Sequence, residues 1–180
     1  MINRKIARRY AKALMNIGRE DGNYERYLEE LQSFTSLFQT EKQLREALIN
    51  PTFGASPRQA IITEVGTKLG LSQIVMNLLY VLVTKNRIQA LPDVTSVYQE
   101  LVDEVAGRVR VHLITAYELK NHKLQELTHA LEGFVQKKVI MEVEQDQSLI
   151  GGVVAKIGGM VYDGSLRTQL EAFKELLEKG

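Results

Sequence analysis

Apolar residues recur at helical spacing through about the first hundred residues and at alternate positions in several later segments. Ile6, Tyr10, Ala13 and Ile17 mark one stripe of an amphipathic helix, and Ala7, Ala11, Leu14 and Gly18 form a second stripe of mostly small residues beside it. Gly22 breaks this helix, and Tyr24, Leu28, Leu31, Phe34 and Phe38 predict another. Thr40 with Gln43 has the pattern of a capping box for a short third helix through Leu44 and Leu48, stopped by Asn50-Pro51. Ser56-Pro57-Arg58-Gln59 predicts a fourth helix, with Ser56 as its cap and Pro57 at its first position. That helix carries Ile61, Ile62, Val65 and Leu69 and ends at Gly70. Ser72 caps a fifth, through Ile74, Val75, Leu78, Leu79, Leu82 and Val83. Pro92-Asp93 opens a sixth, closed by Gly107. Short helices with tight connections predict a bundle.

The period changes after Gly107. Arg108 to Leu113 alternates polar and apolar, as does Lys138 to Glu144, and both predict half-buried strands. Between them Leu124, Leu127, Leu131 and Phe134 return to helical spacing. Val153 to Ile157, Gly158-Gly159 and Met160 to Tyr162 predict a hairpin. Ser165 then caps a last helix through Leu166, Leu170, Phe173 and Leu177. The expected class is α+β and predominantly α: an N-terminal six-helix bundle over residues 1–107, then a small α/β C-terminal domain over 108–180.

Composition narrows the function. Lys and Arg total 23 against 22 Asp and Glu, and the parts before and after residue 107 hold 13 against 12 and 10 against 10. Such neutrality argues against a nucleic-acid partner, which is held by an excess of Lys and Arg on phosphates. The absence of Cys removes thiol nucleophiles and zinc–thiolate sites, and three His leave little for acid–base or metal chemistry. Arg4, Lys5, Arg8, Arg9 and Lys12 make a basic start, but no apolar core of the kind a secretory signal needs follows them. Leu69 to Thr84 is uncharged, yet its sixteen residues fall short of the roughly 20 that a membrane span requires. With Gly70, Ser72, Gln73 and Asn77 inside it, the segment reads as a helix covered by protein.

No catalytic, cofactor or metal site is assigned. A P-loop would need Gly-Lys-Ser/Thr, which does not occur, and Gly151-Gly152 and Gly158-Gly159 flank a strand as turns would. His112, His122 and His129 read as surface residues, and Glu142 and Glu144 as one solvated strand face. What stands out is the fifth helix, apolar on nearly its whole circumference, which must be enclosed by its own bundle or by a partner. Two readings are open. Either its stripes and those of the first helix are core, or the two helices wall a groove for a partner's amphipathic helix, with the basic start steering an acidic partner.

Three sets of residues resemble one family. Arg9-Tyr10-Ala11-Lys12-Ala13-Leu14 resembles the opening motif of the ATP synthase delta subunits, whose mitochondrial relative is the oligomycin-sensitivity-conferring protein. Lys85-Asn86-Arg87-Ile88 with Leu91-Pro92 resembles the segment between that family's fifth and sixth helices. Leu149-Ile150-Gly151-Gly152-Val153, Lys156-Ile157-Gly158 and Asp163-Gly164-Ser165 are similar to its C-terminal signature. The resemblance implies a noncatalytic peripheral-stalk (stator) subunit of a proton-translocating rotary ATP synthase, at the cytoplasmic face of a bacterial inner membrane. It implies alpha subunits of the catalytic head as partners of the helical part through their N-terminal helices, and b subunits of the stalk as partners of the C-terminal part. Tyr10, Ala13, Leu14 and Ile17 of the first helix and Val75, Leu78, Leu79 and Leu82 of the fifth are the expected protein-binding residues. The alternative is a two-domain RNA-binding or other adaptor protein, whose sheet would need aromatic platforms or a basic stripe where this one offers Tyr162.

Overall fold

The computed structural model describes residues 4–146, 149, 151–157 and 160–164. The chain is α+β, mainly helical with a small four-stranded sheet, and divides into two compact units, Met1–Val102 and Asp103–Gly180. The expected last helix over Leu166–Leu177 and the Gly158-Gly159 turn lie outside the described residues.

The first unit is built from α1 (Arg4–Glu20), α2 (Tyr24–Thr40), α3 (Lys42–Ile49), α4 (Ala55–Leu69), α5 (Gln73–Thr84) and α6 (Leu91–Val105). A 3-10 turn at Ile88–Ala90, which the periodicity does not reveal, leads into α6 and buries Ile88 and Ala90. One core joins the helices, centred on Leu31, Phe34, Leu48, Ile62, Leu79, Leu82, Val94 and Tyr98, all fully buried. Polar groups caught in it are paired. Thr95 donates to the Leu91 carbonyl at 3.0 Å and lies 2.7 Å from the Thr35 hydroxyl, and Tyr98 donates to the Tyr24 carbonyl at 3.0 Å. Burial pushes the Tyr98 phenol well above the usual tyrosine range.

Helix boundaries follow the punctuation, but two caps differ. Thr40 turns its hydroxyl back onto the Ser36 and Leu37 carbonyls, closing α2, and Glu41 stands at the cap position of α3. A threonine at a helix end has both options, and the i−4 carbonyl wins here. Helix α4 starts at Ala55 after Gly54, so Ser56 lies inside the first turn, where Pro57 still costs no hydrogen bond. Gln59 bonds Thr84 of α5 at 3.0 Å. Gly70 ends α4 with φ +68, as only a residue free of Cβ strain readily does.

The second unit takes in the last turn of α6, a little earlier than the expected boundary at 107. Asp103 explains the shift, because its carboxylate lies 3.4 Å from Arg108 and 3.1 Å from Arg110 of β1 (Arg108–Thr115). Helix α7 (Asn121–Val135) connects β1 to β2 (Lys138–Gln145), and β3 (Val153–Ile157) and β4 (Met160–Asp163) follow. The sheet order is β2-β1-β3-β4, with β1 and β2 parallel and the other pairs antiparallel. Period-2 alternation sends Val111, Leu113 and Thr115 inward, while Arg110 and His112 meet Glu142 and Glu144 of β2 on the other face. Burial works against the charge on Arg110, but the hydrogen bonds it donates to Glu142 and Asp103 outweigh it and hold the guanidinium charged.

Gly18 packs tightly against the start of α2. A Cβ there would sit 2.9 Å from the Tyr24 backbone and 3.1 Å from the Tyr98 hydroxyl. Gly18→Ala gains helix propensity of up to about 1 kcal/mol but forces an overpacking cost of about 1–3 kcal/mol, since the backbone it meets cannot swing away. The expected net loss is about 1–2 kcal/mol, seen as a thermal midpoint several degrees lower by circular dichroism.

Candidate functional site

Helix α5 packs three ways. Val75, Leu79, Leu82 and Val83 point into the core and are fully buried. Met76 and Tyr80 turn toward α4: a Cβ on Gly66 would lie 3.2 Å from the Met76 sulfur, and the Tyr80 hydroxyl lies 2.8 Å from that of Thr63. Among the described residues no helix lies over Ile74, Asn77, Leu78 and Val81. With Tyr10, Ala13, Leu14 and Ile17 of α1 they line an apolar trough of about 310 Å³. Val81 is 44% exposed and Ile17 40%, so carbon surface stands open to water at both walls.

Both ends of α5 are anchored. Ser72 caps the helix, its hydroxyl accepting from the Val75 N–H at 3.4 Å. Glu30 of α2, itself buried, accepts from the Ser72 N–H at 2.7 Å and the Ser72 hydroxyl at 2.6 Å, while Arg26 donates to its other oxygen at 2.8 Å. A carboxylate at a helix N-terminus meets unpaired N–H groups and the positive end of the dipole. At the far end, Arg87 donates to the Tyr10 hydroxyl at 3.0 Å. Helices α1 and α5 therefore run antiparallel along the trough, with Tyr10 at the C-terminal end of α5.

The expected site residues divide. Tyr10, Ala13, Ile17 and Leu78 reach the trough, and Leu14 forms its floor at 2% exposure. Val75, Leu79 and Leu82 do not offer surface, because the turn of the helix places them on the core side, where they back the wall. The small stripe Ala7, Ala11 and Gly18 is likewise core. Ile74, Asn77 and Val81 line the trough and were not expected; their signal was the three- and four-residue spacing from Ile74 through Asn77 and Leu78 to Val81 on an otherwise uniform helix. Two further hollows, each of about 330 Å³, share Arg4, Val97 and Glu100 and mix both charge signs, with Arg4 and Glu100 paired at 3.3 Å.

The polar candidates elsewhere are pairwise contacts. His112 meets Glu144 at 3.1 Å, His122 meets Glu126 at 3.5 Å and His129 meets Glu132 at 3.6 Å. Among the described residues no three His, Asp or Glu converge as metal ligands would, and no helix is long and apolar enough to cross a membrane.

The chain is thus an α+β protein whose helical unit carries an open apolar trough. The family model described as the ATP synthase delta (OSCP) subunit matches residues 6–177, and the chain belongs to that family. It is 45% identical over 179 residues to an ATP synthase subunit delta from Desulfatibacillum aliphaticivorans, covering 99% of this chain and 98% of that one. It is 43% identical to the subunit from Desulfosudis oleivorans, covering 100% and 98%. The fold is shared, with a TM-score of 0.77 at 17% identity, with a chain of the Toxoplasma gondii mitochondrial ATP synthase hexamer, covering 95% of this chain and 96% of that one. Membership makes the chain a peripheral-stalk, stator subunit of an ATP synthase, a structural part of the complex, and sets aside the RNA-binding alternative.

The division of α5 into core and open faces has a direct consequence. Leu79→Ala is expected to cost about 2–5 kcal/mol through the cavity it leaves, whereas Leu78→Ala, on the half-buried trough wall, costs at most about 1 kcal/mol. Urea midpoints of the two variants check the contrast.

Proposed function

We propose that the trough between α1 and α5 seats an amphipathic helix from the N-terminus of an alpha subunit, and that the second unit holds the end of the b subunits. On this reading the first unit is a six-helix bundle that sits on the catalytic head at the cytoplasmic face of the bacterial inner membrane. Proton flow turns the rotor, and the head would follow unless a strut tied it to the membrane sector. The chain is one link of that strut, and the work it does is mechanical.

The observation that carries the reading is the exposed apolar face of α5, which no element of its own unit covers. A partner helix with apolar residues three and four apart would bury that face, Ile17 and Ala13 together, as helix-in-groove recognition requires. For the b subunits the support is coarser. Tyr162 and Val161 on β4 and Val143 on β2 leave apolar surface exposed on the sheet, and the final helix that the family resemblance also assigns to the stalk lies outside the described residues.

A calorimetric titration of the full-length chain with a synthetic peptide of the alpha-subunit N-terminus tests the first half. Saturable binding is expected. Ala13→Trp, which fills the trough, and Ile17→Asp, which places a charge on its wall, should each weaken binding by at least about 2 kcal/mol while leaving the thermal melt unchanged. No heat and no displacement at millimolar peptide would overturn the reading.

A further inference from the structure

The turn after α5 is unusual for what holds it. Asn86 adopts φ +52, a left-handed conformation that costs a non-glycine residue about 1 kcal/mol or more. Arg58 of α4 secures it, donating from Nη2 to the Asn86 side-chain oxygen at 3.0 Å. Arg58 is only 4% exposed, and its other acceptors are the Leu48 and Gly54 carbonyls, each at 3.4 Å. All three partners are neutral oxygens, so a buried guanidinium joins the end of α3, the start of α4 and this turn, with no carboxylate among the described residues to offset its desolvation. The Arg87 N–H then closes onto the Leu82 carbonyl at 2.7 Å, and the Arg87 side chain extends to the Tyr10 hydroxyl on the opposite wall of the trough.

Arg87 is exposed, and Tyr10, a neutral acceptor, takes one of its five donors. Among the described residues no carboxylate meets it. Its bond to Tyr10 puts it at that end of the trough, where Arg9 precedes Tyr10 in the chain and Lys85 lies two residues before Arg87, both exposed. At the other opening, one helical turn past Ile17, α1 ends with the exposed Arg19 and Glu20, and Asp21 just beyond accepts from the Tyr27 hydroxyl and the Asn23 N–H. The trough is apolar along its length, with cations gathered at its Tyr10 end and mixed charge at the other.

We propose that Arg87 is the specificity-determining cation of this site: held across the trough by Tyr10, it receives a carboxylate of the docked helix and fixes the direction in which that helix lies. The proposal rests on the trough being the seat of the alpha-subunit helix. Apolar contact alone lets an amphipathic helix lie either way round, because its stripe matches the groove in both senses. A guanidinium fork at one end rewards only the sense that brings an acid to it. Asn86 and Arg58 are positioning residues: they set where the fork stands and touch no partner.

The test uses the full-length chain and the alpha N-terminal peptide, with each Asp or Glu of the peptide replaced in turn by its amide, titrated at low and high salt. Arg87→Glu should weaken binding about tenfold at low salt, with the melt unchanged. Arg87→Gln should flatten the salt dependence. One amide substitution near one end of the peptide should lose several-fold affinity against the wild-type chain and nothing against Arg87→Gln. Tyr10→Phe, which keeps the ring and releases Arg87, should lose part of the same coupling. A nitroxide on the acidic end of the peptide should broaden resonances near Tyr10 and spare those near Ile17. If Arg87→Glu binds like the wild type at both salts while Ile17→Asp still abolishes binding, or if no single acid couples to Arg87, the latch is wrong and the groove stands. If the wild-type chain does not bind the peptide at all, both fall together.

Discussion

Helix α5 is more apolar than one small helical unit can enclose, and the other features of the trough answer to that excess. A helix has a single circumference, and Val75, Leu79, Leu82 and Val83 already occupy the core side. Helix α4 covers a second side through Gly66 and Thr63. The remainder would be an aggregation liability on an ordinary monomer, where contiguous exposed carbon is kept small. Here it is bounded by the neighbouring helix α1, whose outward stripe of Tyr10, Ala13 and Ile17 turns a bare face into a concave one.

A trough proposed to receive a helix works only if its walls keep their spacing. The polar groups of the first unit are spent on that. Glu30 ties α2 to the first turn of α5, and Arg58 ties α3 and α4 to the turn that follows it. Both are charged side chains drawn into the interior, where charges are costly unless satisfied. Each is satisfied by groups at a helix terminus, which otherwise lack partners. Rigid walls lower the entropy lost on docking, and a load-bearing joint gains by not creeping under sustained force.

Most of the secondary structure was legible because the two hydrophobic periods and the glycines carry it directly, from the stripe of α1 to the alternation of β1. The caps of α3 and α4 were less so. Thr40 and Ser56 have several competing hydrogen-bond options, and which one wins is settled by the surrounding chain. The excess hydrophobicity of α5 and the stripes of α1 leave a core reading and a groove reading both open, because hydropathy cannot say which side of a uniformly apolar helix is covered. Periodicity alone therefore does not separate Val75, Leu79 and Leu82, which face the core, from Ile74, Asn77 and Val81, which line the trough. The pairs Glu30–Ser72 and Tyr10–Arg87 are 42 and 77 residues apart, and no local pattern links them. The first residues of the family motif, Arg9-Tyr10, and the segment Lys85-Asn86-Arg87 marked the right places without saying that they touch.

The open trough also bears on the life of the chain before assembly. Until its cleft is filled, a newly made copy shows water a strip of carbon flanked by charges, and any passing amphipathic helix is a competitor for it. The surplus subunit is thus its own reporter. On the proposed docking, its stickiness would limit how much can accumulate unattached, expose it to chaperones and proteases in proportion to the time it spends alone, and vanish once a partner helix fills the trough.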